Sequence, residues 1–314
     1  MTPDAMDPRD ADRLVRGDAL AVLGSVPERA VDLVYVDPPF FTGREQRRGG
    51  PDATARFHDQ WAGGLGEYLD WLAALLQALH RTLRPEGSLF LHLDWHAAHP
   101  AKLLLDAIFG PARFVNEIVW HYGSGGRARR HFPRKHDTLL WYARSARYRF
   151  FPEAVGVSRR RCPLCAQERD QWNHLRKHVD AEGRVYRTIR SAGKVYRYYD
   201  DEPVLPPDVW VDVSHLQQKD PERVGWPTQK PEALLRRLVE ATTAPGDLVL
   251  DPCCGSGTTL AVARALERHF LGIDVSEGAT DLASGRLGIE PEERDDVAIV
   301  PTGEAARLIQ GLLG

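Results

Sequence analysis

The sequence predicts an α/β fold, a doubly wound sheet carrying a small inserted region, and three stretches carry that prediction. The apolar run Val31–Val36 stops abruptly at Asp37-Pro38-Pro39-Phe40. Its shortness and β-branched content read as a buried strand, which the prolines end because they fix φ and lack an N–H donor. Residues 67–83 place Tyr68, Leu69, Leu72, Leu75, Leu76 and Leu79 at i, i+3, i+4 spacing on one helical face. Arg84-Pro85-Glu86-Gly87 closes that helix and residues 88–93 return as a strand, so helix, turn and strand follow in the order a wound sheet requires. The third stretch, 247–260, is a strand, a glycine loop and the start of a helix.

The remaining elements follow the same alternation. Leu14-Val15-Arg16-Gly17-Asp18 is a short strand, with Asp18 placed to cap a small helix that begins at Ala19. Residues 42–54 form a polar loop rich in Gly and Arg, placed as a lid beside the Asp37 turn. A helix over 101–109 and strands over 114–122 and 138–142 complete the first half. His92, His96 and His99 straddle a strand end with no second cluster beside them, and read as packing or surface histidines. From residue 147 to about 216 the alternation gives way to short Tyr- and Arg-rich pieces resembling small antiparallel strands. The division expected is 14–146, an insert at 147–216, and 217–314.

Composition narrows the class. With 314 residues, 43% hydrophobic and 27% charged, the chain has the makeup of an ordinary globular protein. No apolar run approaches the roughly 20 residues that a membrane helix needs. The first 13 residues have no apolar core and do not read as a secretory leader. Four cysteines in two close pairs, Cys162/Cys165 and Cys253/Cys254, do not make a secreted disulfide framework, so a reducing cytoplasm is expected. The net charge of −3 hides an asymmetry, for residues 127–197 hold 19 Lys/Arg against 6 Asp/Glu. That block is a candidate phosphate-binding surface. Within it Arg127, Arg129, Arg130, Arg134 and Lys135 lie on a glycine-rich loop interleaved with Phe132, the pattern expected of contacts to DNA phosphates.

The insert also contains Cys162-x2-Cys165-x8-His174-x3-His178, whose pair spacings suit tetrahedral zinc. Its central gap is shorter than the roughly twelve residues usual in finger modules. A structural zinc would hold a lobe that has few large apolar residues; the plainer alternative is two thiols near two surface histidines.

The chemistry at Asp37 follows from what an exocyclic base amine lacks. Its lone pair is delocalised into the ring, so it is a poor nucleophile until a carboxylate and a backbone carbonyl each accept one N–H. Asp37 and the Pro38 carbonyl, held still by Pro39, supply those acceptors. Phe40 can stack on a base taken out of the duplex, worth roughly 1–3 kcal/mol. In the second motif, Asp251-Pro252-Cys253-Cys254-Gly255-Ser256-Gly257-Thr258-Thr259, the glycines admit a ligand to the backbone. Asp274, 17 residues beyond Gly257, ends the next strand where it can accept ribose hydroxyls. An acid leads the loop and no spaced third glycine follows, so a compact cationic cofactor fits better than a pyrophosphate.

Together the two motifs resemble the amino-methylating, site-specific DNA methyltransferases, and their order resembles the beta group of that family. Gly17-Asp18 and Trp226-Pro227-Thr228-Gln229-Lys230-Pro231 extend the resemblance over most of the chain outside the basic insert. It implies a Rossmann-like S-adenosylmethionine-dependent fold with the insert as target-recognition region. It also implies that Asp251, Gly255, Gly257 and Thr258 hold the methionine moiety, Asp274 the ribose, and Asp18 lies near the adenine. Thr228, Gln229 and Lys230 would close the site, with Asp37 shared between cofactor and target amine. Cys253 stands where many members carry Phe, which alters part of the cofactor wall.

The implied reaction moves a methyl group to the exocyclic amine of a flipped base in double-stranded DNA. Adenine N6 is favoured because Asp at the turn is more often associated with adenine in the family, while Ser commonly marks cytosine N4; cytosine N4 is the alternative. Pro252-Cys253 only superficially resembles a cytosine-C5 nucleophile, since it lies inside the glycine loop. An RNA or small-molecule methyltransferase and a non-enzymatic nucleic-acid binder are weaker readings; the last leaves the Asp37 turn without a purpose. A separate cognate restriction endonuclease and a second copy of the chain are the further candidate partners, with the protein expected on the nucleoid through its DNA.

Overall fold

The computed structural model describes residues 12–47, 56–123, 128–158 and 175–313. Its first half runs β1 (Arg13–Arg16), α1 (Ala19–Ser25), β2 (Val31–Val36), β3 (Arg44–Arg47), β4 (Arg56–Asp59), α2 (Gly64–Thr82), β5 (Leu83–Leu93), α3 (Ala98–Phe109), β6 (Phe114–His121) and β7 (His136–Ala143). Short strands follow as β8 (Val157–Ser158), β9 (Lys177–Val179), β10 (Val185–Ser191), β11 (Lys194–Tyr199), β12 (Pro203–Val204) and β13 (Val209–Trp210). The last part is α4 (Glu232–Thr242), β14 (Leu248–Asp251), α5 (Thr258–Ala265), β15 (His269–Asp274), α6 (Glu277–Leu287), β16 (Glu292–Glu293) and α7 (Glu304–Leu313).

Nine strands make one sheet in the order β13-β6-β7-β5-β2-β14-β15-β1-β16. Its pairings are parallel except those of β7, which runs against both β5 and β6. β2 is buried along its whole length because alternate residues serve two cores. Val34 and Val36 face α1, α2, α3 and α7, while Leu33 and Tyr35 face α4, α5 and α6. The one acid inside the strand, Asp32, is held by the Arg149 guanidinium at 2.8 Å and the Leu248 N–H at 3.0 Å. Chain order reverses at β2, whose neighbours are β5 on one side and β14 on the other. Such a switch point opens a crevice beyond the strands' carboxyl ends. No helix among the described residues is long and apolar enough to cross a membrane.

Three local expectations are revised. The turn 84–87 does not separate helix from strand; β5 starts at Leu83, already paired with Val31, and absorbs the turn as a register irregularity beside β2. Gly87 permits this, since a Cβ there would lie 3.0 Å from the Asp32 carbonyl oxygen. The segment expected as a loop after Thr42 carries the antiparallel pair β3–β4. Its base is fixed by Asp59, which accepts from the Phe41 N–H at 3.0 Å and the Thr42 N–H at 2.6 Å. In the insert, β9, β10 and β11 form a separate antiparallel sheet, but β13 leaves it and joins the main sheet beside β6.

Candidate active site

Three adjacent strands end on carboxylates at one edge. β14 is hydrogen-bonded to both β2 and β15, with Leu250 opposite Val34 and Asp251 opposite Gly272. Asp37 just beyond β2, Asp251 closing β14 and Asp274 closing β15 therefore converge on one cavity of about 590 Å³. Among the described residues, six carboxyl groups and a single ammonium, Lys230, stand in its wall, so its field favours a cation.

The Asp37 turn is held from across the chain. Lys230 donates from Nζ to Asp37 Oδ2 at 2.5 Å, and its ammonium lies 5.1 Å from the Phe40 ring centroid. Asp37 Oδ1 is buried and has no hydrogen-bond partner among the described residues. A buried acceptor left open is costly unless a ligand completes it. Pro38, Pro39 and Phe40 share the same wall.

The glycine loop is shaped by two left-handed residues. Gly255 has φ +52°, donates its N–H to Asp274 Oδ2 at 2.9 Å, and lies so close to Trp226 that a Cβ would stand 2.9 Å from the indole nitrogen. Gly257, at φ +72°, precedes α5 but does not line the cavity; a Cβ there would meet the Ala283 Cβ at 2.9 Å, so it serves the approach of α5 to α6. Burial pushes the Asp251 carboxyl up to about 7, against hydrogen bonds from Thr259 and the Cys253 N–H, with the charges of Asp37 and Asp274 adding to the rise. Burial also raises Asp274, whose bonds from the Ser276, Gly255 and Val275 N–H groups oppose the shift. A carboxylate has about four lone-pair sites, so Asp274 retains acceptor capacity for hydroxyls. The Cys253 thiol, in the wall, is raised well above its ordinary range by burial and by Asp274, Asp251 and Asp37, and stays protonated.

The other expected residues take distinct places. Asp18 caps α1 through the Ala21 N–H at 2.9 Å and also faces the cavity. Thr228 and Thr258 line it, the latter also accepting from Arg286 at 3.1 Å. Gln229 lines it too, but its amide braces residues 222–224, accepting from Val224 N–H at 2.9 Å and donating to the Glu222 carbonyl at 2.7 Å.

Of the basic loop, Arg127 lies outside the described residues, while Arg129, Arg130 and Lys135 belong to the segment between β6 and β7. Arg134 stacks its guanidinium 3.7 Å from the centroid of Trp95, two residues beyond the end of β5 and on the same edge as Phe40. Of the candidate zinc set, Cys162, Cys165 and His174 lie outside the described residues, and His178 on β9 stacks on Tyr186 at 5.2 Å.

One feature of the site escaped the sequence. His92 is fully buried, with Nδ1 2.8 Å from the Tyr35 hydroxyl and Nε2 3.2 Å from Asp137 Oδ2. Tyr122 donates to the other Asp137 oxygen at 3.0 Å. The available signal was phase: His92 alternates with Phe90 on a strand of apolar residues, and a polar ring buried there demands partners.

Comparison with known proteins adds to this geometry. Residues 31–284 match the family model of the N6/N4 type described as DNA methylase. Over 303 residues the chain is 29% identical to the type II methyltransferase M.BglII of Bacillus subtilis, covering 94% of this chain and 74% of that protein. It is 30% identical over 282 residues to the DNA adenine methyltransferase YhdJ of Escherichia coli K12, covering 89% and 84%. Among solved structures, PvuII DNA methyltransferase, cytosine-N4-specific, superposes with a TM-score of 0.57 at 15% identity, covering 96% of this chain and 94% of that one. A complex of M1.HpyAVI with S-adenosylmethionine gives 0.52 at 18% identity, covering 88% and 99%. At such identities the structural likeness speaks for the fold.

Proposed function

The chain belongs to the amino-methylating DNA methylases, enzymes that use S-adenosylmethionine, and from that premise we propose that it methylates adenine N6 of a base turned out of duplex DNA. The observation that carries this reading is Asp37, which lines the same cavity as the glycine loop and whose Oδ1 is a buried acceptor without a partner among the described residues.

The cavity suits the cofactor in volume, since ligand sites commonly span ~300–1,000 Å³, and in charge. Asp251, Gly255, Cys253 and Thr258 would face its methionine end, Asp274 its ribose and Asp18 its adenine. Bound there, S-adenosylmethionine supplies an electrophilic methyl on a sulfonium leaving group. Asp37 Oδ1 and the Pro38 carbonyl would each accept one N–H of the target amine, which would free the nitrogen lone pair to act as nucleophile. On transfer the sulfonium S–C bond would break as the N–C bond forms, and Asp37 would be placed to take the one proton that the nitrogen sheds. Phe40 holds the ring in plane. No covalent bond to the protein is needed, and the protonated Cys253 offers none.

Adenine is preferred to cytosine because the relative at 30% identity is named an adenine methyltransferase, whereas the cytosine-N4 enzyme shares the fold at 15% identity. The separate β9–β11 sheet, with Arg190 and Arg197 exposed on one face, would read sequence, and Arg129, Arg130, Arg134 and Lys135 would hold phosphates. The test is incubation of mixed-sequence DNA with deuteromethyl-labelled S-adenosylmethionine, followed by nucleoside mass spectrometry. N6-methyldeoxyadenosine is expected, and N4-methyldeoxycytidine as the product would overturn the base assignment. Asp37→Ala should abolish transfer yet still bind S-adenosylhomocysteine; retained turnover would sink the catalytic role of Asp37.

A further inference from the structure

We propose that His92 is a positioning residue for the target base, acting through Phe40 as the centre of a hydrogen-bonded chain that runs Tyr35–His92–Asp137–Tyr122 along the reactive edge of the sheet. The inference rests on the reading of Phe40 as the ring that stacks on the base.

The chain crosses neighbouring strands. Tyr35 comes from β2, His92 from β5 and Asp137 from β7, with Tyr122 following β6. Because β7 is antiparallel, its first residues lie at the same edge as the last residues of the others, and Asp137 is opposite Trp120 while His92 is opposite Leu139. Over this row sits Phe40, whose ring centroid is 5.9 Å from that of His92 at an interplanar angle of 31°. The Trp120 ring closes the imidazole edge-on at 5.7 Å.

The donors and acceptors of this row match one another along its length. Burial pushes Asp137 up, but the hydrogen bond and charge of His92, the charge of Lys230 and the Tyr122 hydroxyl outweigh it and leave the carboxyl below its ordinary range. Asp137 is thus an ionised acceptor, and His92 donates to it from Nε2. Burial and the charges of Asp37, Asp251 and Asp137 raise Tyr35, which keeps its O–H and shares a hydrogen bond of 2.8 Å with Nδ1. Turning the imidazole over would break both bonds, so its plane is fixed at both ends. Replacing the whole row by apolar side chains would avoid the cost of burying polar groups, and such replacements are often neutral or stabilising. What the polar row adds is orientation: it gives Phe40 a backing that cannot rotate.

Full-length His92→Phe, Asp137→Asn and Tyr35→Phe test this, the last two close to isosteric and the first replacing the imidazole by a larger apolar ring. Rates of tritiated-methyl transfer to mixed-sequence genomic DNA are measured against DNA and cofactor concentration, with S-adenosylhomocysteine affinity and urea unfolding alongside. For His92→Phe, which leaves the buried Tyr35 hydroxyl and Asp137 Oδ2 without this partner, we expect a lowered unfolding midpoint, cofactor affinity within about twofold in the folded protein, and kcat/KM for DNA reduced about 10- to 100-fold, the scale of a slight misplacement. In a Phe40→Leu background, followed by single turnover, the same change should cost less than about twofold, as expected where one residue acts through the other. A folded His92→Phe with kcat/KM for DNA unaltered, or with the same loss in both backgrounds, overturns the proposal. Should His92→Phe fail to fold, Asp137→Asn and Tyr35→Phe decide by the same criteria. Asp37→Ala is run in parallel: an active Asp37→Ala sinks the reading of the turn itself, whereas an inactive one beside an unimpaired His92→Phe sinks only the positioning role.

Discussion

Lys230 reaches across 193 residues of chain to place its ammonium 2.5 Å from Asp37 Oδ2, and the same ammonium lies over the Phe40 ring. One cation therefore touches both side chains of the reactive turn. It fixes which carboxylate oxygen is occupied and leaves Oδ1 buried without a partner among the described residues. It also offsets the charge of Asp37, which adds to the cost of ionising Asp251.

Replacing that cation is the first prediction. A hydrogen bond to a charged partner contributes about 1.5–3 kcal/mol, so Lys230→Met should lower kcat about 10- to 100-fold. Lys230→Arg, which keeps the charge, should recover part of it. Steady-state methyl transfer checks both, with S-adenosylhomocysteine titration separating a rate effect from lost cofactor binding.

Gly255→Ala should weaken the cofactor and spare the DNA. The left-handed φ of +52° costs an L-residue about 1–2 kcal/mol, and the added methyl would strike the Trp226 indole nitrogen. Relief moves the N–H that Gly255 gives to Asp274, so the ribose acceptor shifts with it. Calorimetric titration with S-adenosylhomocysteine should show about a tenfold loss of affinity or more.

Asp251 makes stability depend on pH. Its folded carboxyl is raised from 3.8 to about 7, so the folded state holds a proton that the unfolded state has released. The stabilisation is complete below the unfolded value, falls as pH rises through the folded one, and is gone above it. Urea unfolding of the cofactor-free protein should show the parent losing stability between pH 5 and pH 8 relative to Asp251→Asn, by about a few kcal/mol. A pH-independent difference between the two would contradict the raised carboxyl.

Arg134 is expected to act on DNA as a positioned charge, because Trp95 holds the guanidinium plane at 3.7 Å. Arg134→Ala should weaken binding evenly across sequences and reduce the slope of log K against log salt by about 1. Trp95→Ala, which frees the guanidinium without removing it, should lower affinity while preserving the slope. Fluorescence anisotropy of labelled duplex DNA over a salt series separates the two.

The sequence alone determined where strands stop and what stands at their ends. Proline after Asp37 and glycine after Asp251 act within a few residues of themselves, through fixed φ, missing N–H groups and left-handed freedom, so both motifs were legible as strand tips bearing acids. The same local rules located α2, α3 and the hairpin of β10 and β11. They did not fix the length of β5 or the β3–β4 pair, because strand pairing depends on which neighbour is within reach.

Only the tertiary structure decided which tips meet. β14 lies against β2 although some two hundred residues separate them, and that adjacency turns two motifs into one cavity. The grip of Lys230 on Asp37, the bracing role of Gln229, the service of Gly257 to helix packing and the row through His92 all arise between distant segments. Periodicity along a chain records which face a residue presents. It carries no record of the partner that face will find, and the partner here decides whether a buried histidine is filler or the backing of a reactive turn.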